Sequence, residues 1–151
     1  MSHSLVVNRM HCVFSTKNRV CSIPEGAELR LWAFIGGIAR SNGMKAIAVG
    51  GVEDHVHILL LVPATISVSK AMQLIKAGSS KWCNQNLNGK RFEWQTGYSA
   101  FSIGQTQVKD TIAYINNQRQ HHKKRSFDQE LQAFALRNGI SEEEFQSSLR
   151  D

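Results

Sequence analysis

Asp54-His55-Val56-His57-Ile58-Leu59-Leu60-Leu61 places two histidines either side of one apolar residue and then runs into aliphatic side chains. This pattern predicts a β-strand over 55–62. In a strand, residues i and i+2 point to the same face. His55 and His57 therefore project side by side, while Val56 points into the opposite layer. Two imidazoles held on a stiff strand can grip one divalent metal ion. The competing reading is a pair of surface or hydrogen-bonded histidines.

Working outward, residues 44–49 read as a second strand, with Gly50-Gly51 as the turn that pairs it with 55–62 in a hairpin. Upstream, 5–15 is rich in Val and Phe and reads as a strand. Ser22, Pro24 and Glu25 read as the capped start of a helix that ends at Asn42-Gly43. Downstream, Ser67 opens a helix with apolar positions at Val68, Ala71, Met72, Ile75 and Trp82. A polar loop over 84–89 and a strand over 92–103 follow, then a third helix over 105–121. Ser126 and Ser141 each open a short helix, the first stopping at Asn138-Gly139. The order suits an α+β, ferredoxin-like βαββαβ antiparallel sheet with helices on one face, plus C-terminal helices. The expected organisation is a catalytic domain over 1–125 and a helical extension of the same domain over 126–151.

The 151 residues suffice for one core-forming domain, and 42% of them are hydrophobic. The longest apolar run is too short for a membrane span, and no signal peptide is recognisable. Cys12, Cys21 and Cys83 form no CxxC pair, which argues against a zinc cluster or disulfide framework. A reducing cytoplasm is the expected setting. Residues 1–127 carry 16 basic and 6 acidic side chains, and residues 128–151 carry 2 and 6. A basic body with an acidic tail suggests a polyanionic partner, above all nucleic acid.

The third helix carries Tyr114-Ile115-Asn116-Asn117-Gln118, with a core stripe of Val108, Ile112 and Ile115. Tyr114 and Gln118 are four apart and share a helix face beside that stripe. The Gln118 amide oxygen could be a third metal ligand with His55 and His57, which would set the ion next to the phenol. A metal can stabilise charge on a phosphodiester, and a nearby tyrosine can then attack phosphorus. The plainer reading of Tyr114 is a core-edge tyrosine with a hydrogen-bonded hydroxyl.

At this point the chain resembles the single-tyrosine HUH transposases, the small IS200-like group that includes the REP-associated tyrosine transposases. The resemblance runs from about His11 to Ile140. It rests on the stretch from His11 to Arg19, Asp54-His55-Val56-His57, and the stretches Ile75–Trp82 and Trp94–Ser102. Tyr114-Ile115-Asn116-Asn117-Gln118 with His121-His122 completes it. It implies Tyr114 as nucleophile, and His55, His57 and Gln118 as ligands of Mg²⁺ or Mn²⁺. Two imidazoles would also accept Zn²⁺. It further implies a covalent 5′-phosphotyrosine intermediate, single-stranded DNA with hairpin ends as substrate, and a homodimer whose sites can be shared between subunits. No membrane or small-molecule substrate is expected.

Asp54 could orient a histidine or simply make a turn. Asp110 could contact Tyr114, but an N-terminal acid on the helix dipole is the better reading. Lys76, Lys81, Lys90, Arg91, Arg119, His121, His122, Lys123, Lys124 and Arg125 are the DNA-contact candidates. Trp82, Phe92 and Trp94 could stack on bases, with core packing favoured for at least two. The rivals are a domesticated hairpin binder that no longer cuts, a replication- or conjugation-type nicking enzyme, and a hydrolase of small phosphodiesters.

Overall fold

β-Branched and aliphatic residues beyond the two histidines form the centre of a four-stranded antiparallel sheet. The computed structural model describes residues 3–149. The strands are β1 (Arg9–Ser15), β2 (Lys45–Val52), β3 (His55–Leu61) and β4 (Ser99–Ser102), in the spatial order β2-β3-β1-β4. Helices α1 (Glu28–Ser41), α2 (Val68–Asn86) and α3 (Val108–Asn116) complete the first part of the chain. The element order is βαββαβ followed by helices, so the fold is the expected ferredoxin-like α+β arrangement. The chain divides into two compact units, Met1–Gln118 and Arg119–Asp151.

The period-2 geometry of β3 sorts its side chains between two layers. Val56, Ile58 and Leu60 are fully buried with Cys12 and Phe14 of β1. They meet Leu31, Trp32, Ile35 and Ala39 of α1 and Ala71, Met72 and Ile75 of α2, each set forming one helical face of adjacent and i+3 or i+4 positions. Each fully buried Ile or Leu contributes about 1.5–3 kcal/mol of transfer free energy. The other face of β3 carries His55, His57 and Leu59. Leu59 packs with Ala48 of β2 and Ile115 of α3, joined by Val108 and Ile112. The expected stripe on the third helix is thus its sheet-facing side, and it covers the face opposite α1 and α2.

The hairpin is built differently from expectation. Gly50 and Gly51 lie within β2, opposite His57 and Val56, and the turn falls at Glu53-Asp54. Gly50 is needed for a close approach. A β-carbon there would stand 2.3 Å from the Ile115 carbonyl oxygen and 3.0 Å from Ile115 Cγ2. That glycine lets α3 lie directly against the strand beside the histidines.

Several boundaries also differ. β1 begins at Arg9, and Leu5, Val6 and Val7 are exposed. Ser22 does not cap α1: its hydroxyl donates to the Val20 carbonyl at 3.4 Å, and a 3₁₀ turn over Glu25–Ala27 precedes the helix. Helix α2 extends into the expected polar loop as far as Asn86, where its polar residues occupy exposed positions. Only Ser99–Ser102 of the expected 92–103 strand is laddered, while Trp94 makes an isolated bridge to Thr16. Phe92 and Trp94 are instead folded into the core. The third helix is interrupted at Asn117 (φ −111°, ψ 30°), after which α4 (Gln118–His122) begins.

The caps at Ser67, Ser126 and Ser141 are as read from sequence. In the second unit, Ser126 Oγ accepts from the Gln129 amide at 3.2 Å, and Gln129 Oε1 accepts from the Ser126 amide at 2.9 Å. This opens α5 (Phe127–Arg137), which stops before Gly139 at φ 82°; α6 (Glu142–Ser148) follows. Among the described residues, no helix is long and apolar enough to cross a membrane.

Candidate active site

The face of the sheet under α3 gathers an unusual density of imidazole. Residues directly opposite on antiparallel strands share a face. Val13 faces His57, and His11 faces Leu59, so His11, His55 and His57 all project toward α3. His55 and His57 have no exposed surface, and His11 is 2% exposed. The His55 and His57 rings are tilted by 73° with centroids 5.2 Å apart.

Each ring is held at a defined nitrogen. His55 Nδ1 lies 2.7 Å from Asp54 Oδ1. An ionised carboxylate only accepts, so Nδ1 carries the proton and Nε2 presents its lone pair in the neutral ring. Asp54 therefore makes the hairpin turn and also orients His55, joining the two uses foreseen for it. His57 Nδ1 is 2.8 Å from His11 Nε2, across two strands of the sheet. With that nitrogen engaged, a metal would be held through His57 Nε2.

Gln118 completes the arrangement. Its Nε2 donates to the Tyr114 carbonyl at 3.2 Å, which fixes the amide orientation, because a carbonyl needs a donor. Its Oε1 then faces His55 Nε2 at 3.1 Å. With His55 neutral, two lone pairs converge there, and only a proton or a cation between them makes that favourable. Oxygen or nitrogen donors about 2.1 Å from an octahedral ion are about 3 Å apart when adjacent. The donor set, two imidazoles and an amide oxygen without thiolate, suits a divalent cation, the imidazoles favouring a transition metal and the amide oxygen a harder ion. Burial pushes the thiols of Cys12 and Cys83 up to about 12, so neither offers a thiolate near neutral pH.

Tyr114 is half-buried on α3, its ring edge-on to His57 with centroids 5.6 Å apart and 6.2 Å from His11. The structure therefore brings together His55, His57, Tyr114 and Gln118. The helix break at Asn117 does not separate the last two, because the side-chain to main-chain bond spans it. His11 joins them, and the sequence reading had not singled it out as a site residue. The signal was present as a polar residue between the apolar Met10 and Cys12, but only the cross-strand register gives it meaning. Asp110 is exposed in the first turn of α3, as suits the dipole reading.

The basic candidates are spread over both units. In the first, Lys76 Nζ donates to the carbonyls of Thr96 at 3.2 Å and Gly97 at 2.7 Å, and burial lowers its pKa. Lys81 and Lys90 are exposed, and Arg91 pairs with Glu93 at 3.3 Å. Phe92 and Trp94 are core residues, the Trp94 indole donating to Ser79 Oγ at 2.9 Å. Trp82 is half-buried against Phe34. In the second unit, Arg119, His121 and His122 are half-buried, and Lys123, Lys124 and Arg125 are exposed beyond the end of α4. His122 Nε2 lies 3.1 Å from Oε2 of the buried Glu130.

Comparison with solved structures finds the same fold at low identity. A crystal structure of a "putative transposase" from Deinococcus radiodurans R1 is 17% identical with TM-score 0.63, over 77% of this chain and 96% of that one. A REP-associated tyrosine transposase bound to a REP hairpin is 16% identical with TM-score 0.59, over 81% of this chain and 74% of that one. No curated protein matches the chain. The family model described as "Transposase IS200 like" matches residues 5–118, which include β1, the histidine hairpin, Tyr114 and Gln118. The chain belongs to the IS200-like transposase family.

Proposed function

We propose that this chain cuts and rejoins single-stranded DNA through a covalent phosphotyrosine. The observation that carries the reading is the convergence of His55 Nε2 and Gln118 Oε1 beside His57, with the Tyr114 ring against His57. His55, His57 and Gln118 would hold Mg²⁺ or Mn²⁺. Such an ion supplies charge stabilisation at a non-bridging phosphate oxygen.

Tyr114 Oη attacks phosphorus as the bond from phosphorus to the 3′ oxygen breaks. The phenol gives up its proton, and the departing 3′ oxygen takes one up to leave as a free hydroxyl. The 5′ phosphate stays on Tyr114 as a diester, so the bond energy is kept. Attack by another 3′ hydroxyl reverses the step and releases the enzyme. Asp54 and His11 set the orientation of the two histidines throughout. Burial of all three imidazoles excludes competing water from the ligand side of the site. Hairpins at the ends of a mobile element are the proposed recognition marks, in line with the hairpin bound to one structural neighbour. A homodimer is the proposed working form.

The test uses single-stranded oligonucleotides tiled from both flanks of the gene, with Mn²⁺ or Mg²⁺, resolved on a denaturing protein gel. The expected result is a slower, DNA-labelled protein band that needs metal, Tyr114 and His57. It should be absent in Tyr114→Phe and His57→Ala. Absence of the band from wild type, with tight hairpin binding and measured metal occupancy, would refute cutting and favour a hairpin binder.

A further inference from the structure

We propose that a basic groove along residues 91–98 binds an unpaired DNA strand and leads it toward the histidine site, an inference resting on the single-stranded DNA reading above. Two cavities of about 550 and 570 Å³ share Lys17, Arg91, Phe92 and Glu93 along their common side. Together they carry Lys17, Lys76, Lys90 and Arg91 against a single acid, Glu93, among the described lining residues. Glu93 does not neutralise the groove. It pairs with Lys17 at 3.1 Å and Arg91 at 3.3 Å, holding two cationic side chains side by side. A line of cations of this sort follows a phosphate backbone.

The groove also presents an aromatic face. Phe92 and Trp94 are spent in the core, but Tyr98 on the cavity wall is 39% exposed. The Lys76 ammonium pins the carbonyls of Thr96 and Gly97, the two residues before Tyr98. A tyrosine on a fixed segment can stack on a base at little entropic cost, without regard to sequence.

The groove lies on the α2 side of the sheet, and its wall reaches the end of the sheet whose other face carries the histidines. Gln95 on its wall accepts from the Ser15 amide at 2.7 Å and from the Ser15 hydroxyl at 3.0 Å. Ser15 lies directly opposite His55 in the sheet. The wall of the groove and the candidate metal ligands thus sit at the same end of the sheet, one strand apart. An unpaired strand fits this surface better than a duplex, because stacking on Tyr98 requires an open base face.

The test is fluorescence anisotropy with a labelled 12-nucleotide oligothymidine, in EDTA, so that no cutting intervenes. Tyr98→Ala should weaken binding about tenfold, and Tyr98→Phe should stay near wild type. Lys17→Ala combined with Arg91→Ala should flatten the slope of log affinity against log salt by about 1.4. Wild-type affinity and slope in Tyr98→Ala and the double variant, with native circular dichroism, would overturn the groove. So would tighter binding of a blunt duplex of the same length. Loss of binding in these variants, with no covalent adduct from wild type in any metal, would leave the groove standing and refute the cutting reading alone.

Discussion

Replacing Gly50 by alanine tests whether the approach of α3 to the sheet sets the site. The added β-carbon would stand 2.3 Å from the Ile115 carbonyl oxygen. An ordinary contact begins at 3.4 Å, so helix and strand must part locally by roughly 1 Å. The clash is with backbone, so no side-chain rotation relieves it. Overpacking of this kind costs about 1–3 kcal/mol. For a protein of this length, that lowers Tm by roughly 2–12 °C. The displaced segment carries Tyr114 and, just beyond it, Gln118. A misplacement of about 1 Å at reacting groups costs on the order of 100-fold in rate. The assay is thermal unfolding together with the rate of covalent adduct formation in Mn²⁺. Gly36→Ala serves as the control, since nothing lies within 4 Å of a β-carbon there and the site is helical. It should be neutral or stabilising by up to about 1 kcal/mol. A Gly50→Ala protein with wild-type Tm and adduct rate would refute the argument that this contact positions the tyrosine helix.

Other outcomes follow from the same geometry. His11→Ala should weaken Mn²⁺ binding about 10- to 100-fold by calorimetry, since it removes the partner of His57 Nδ1; unchanged affinity would assign His11 to packing alone. Asp54→Asn should act similarly through His55, and an effect on folding without one on metal affinity would leave Asp54 a turn residue. Tyr114→Phe should lose the covalent adduct while keeping Mn²⁺ affinity, which would separate the proposed nucleophile from the proposed metal ligands. Thiol titration should label one cysteine in the folded protein and three in denaturant, because Cys12 and Cys83 are buried and Cys21 is exposed. The Cys12 thiol, raised by burial from 9.0 to about 12, ionises more easily in the unfolded chain. The unfolded state then holds fewer protons above pH 9, so stability should fall as pH rises toward 12, by about 1.4 kcal/mol per unit for this group. Flat stability between pH 9 and 11 would contradict that burial.

Much of the candidate site's geometry was legible because its parts are local. The two-residue period around Val56 places His55 and His57 on one face wherever the strand lies. The four-residue spacing places Gln118 near Tyr114. Serine followed three residues later by a glutamine or glutamate marked two helix starts correctly. Ser22 fitted a cap pattern and failed, because its hydroxyl turned to the Val20 carbonyl. The 92–103 segment read as a strand from its aromatic content. The core took Phe92 and Trp94 for packing and left only four residues to pair.

The sequence by itself determined the histidine strand, the order of elements and the helix that carries Tyr114. These depend on periodicity and capping, which act over a few residues. Only the tertiary structure decided that His11 reaches His57, 46 positions away, and that the Gln118 amide meets His55, 63 positions away. It also turned Gly50 from an expected turn residue into the seat of α3. Such contacts follow from strand register and layer packing, which distribute their energy over the whole core and leave no short-range pattern to read.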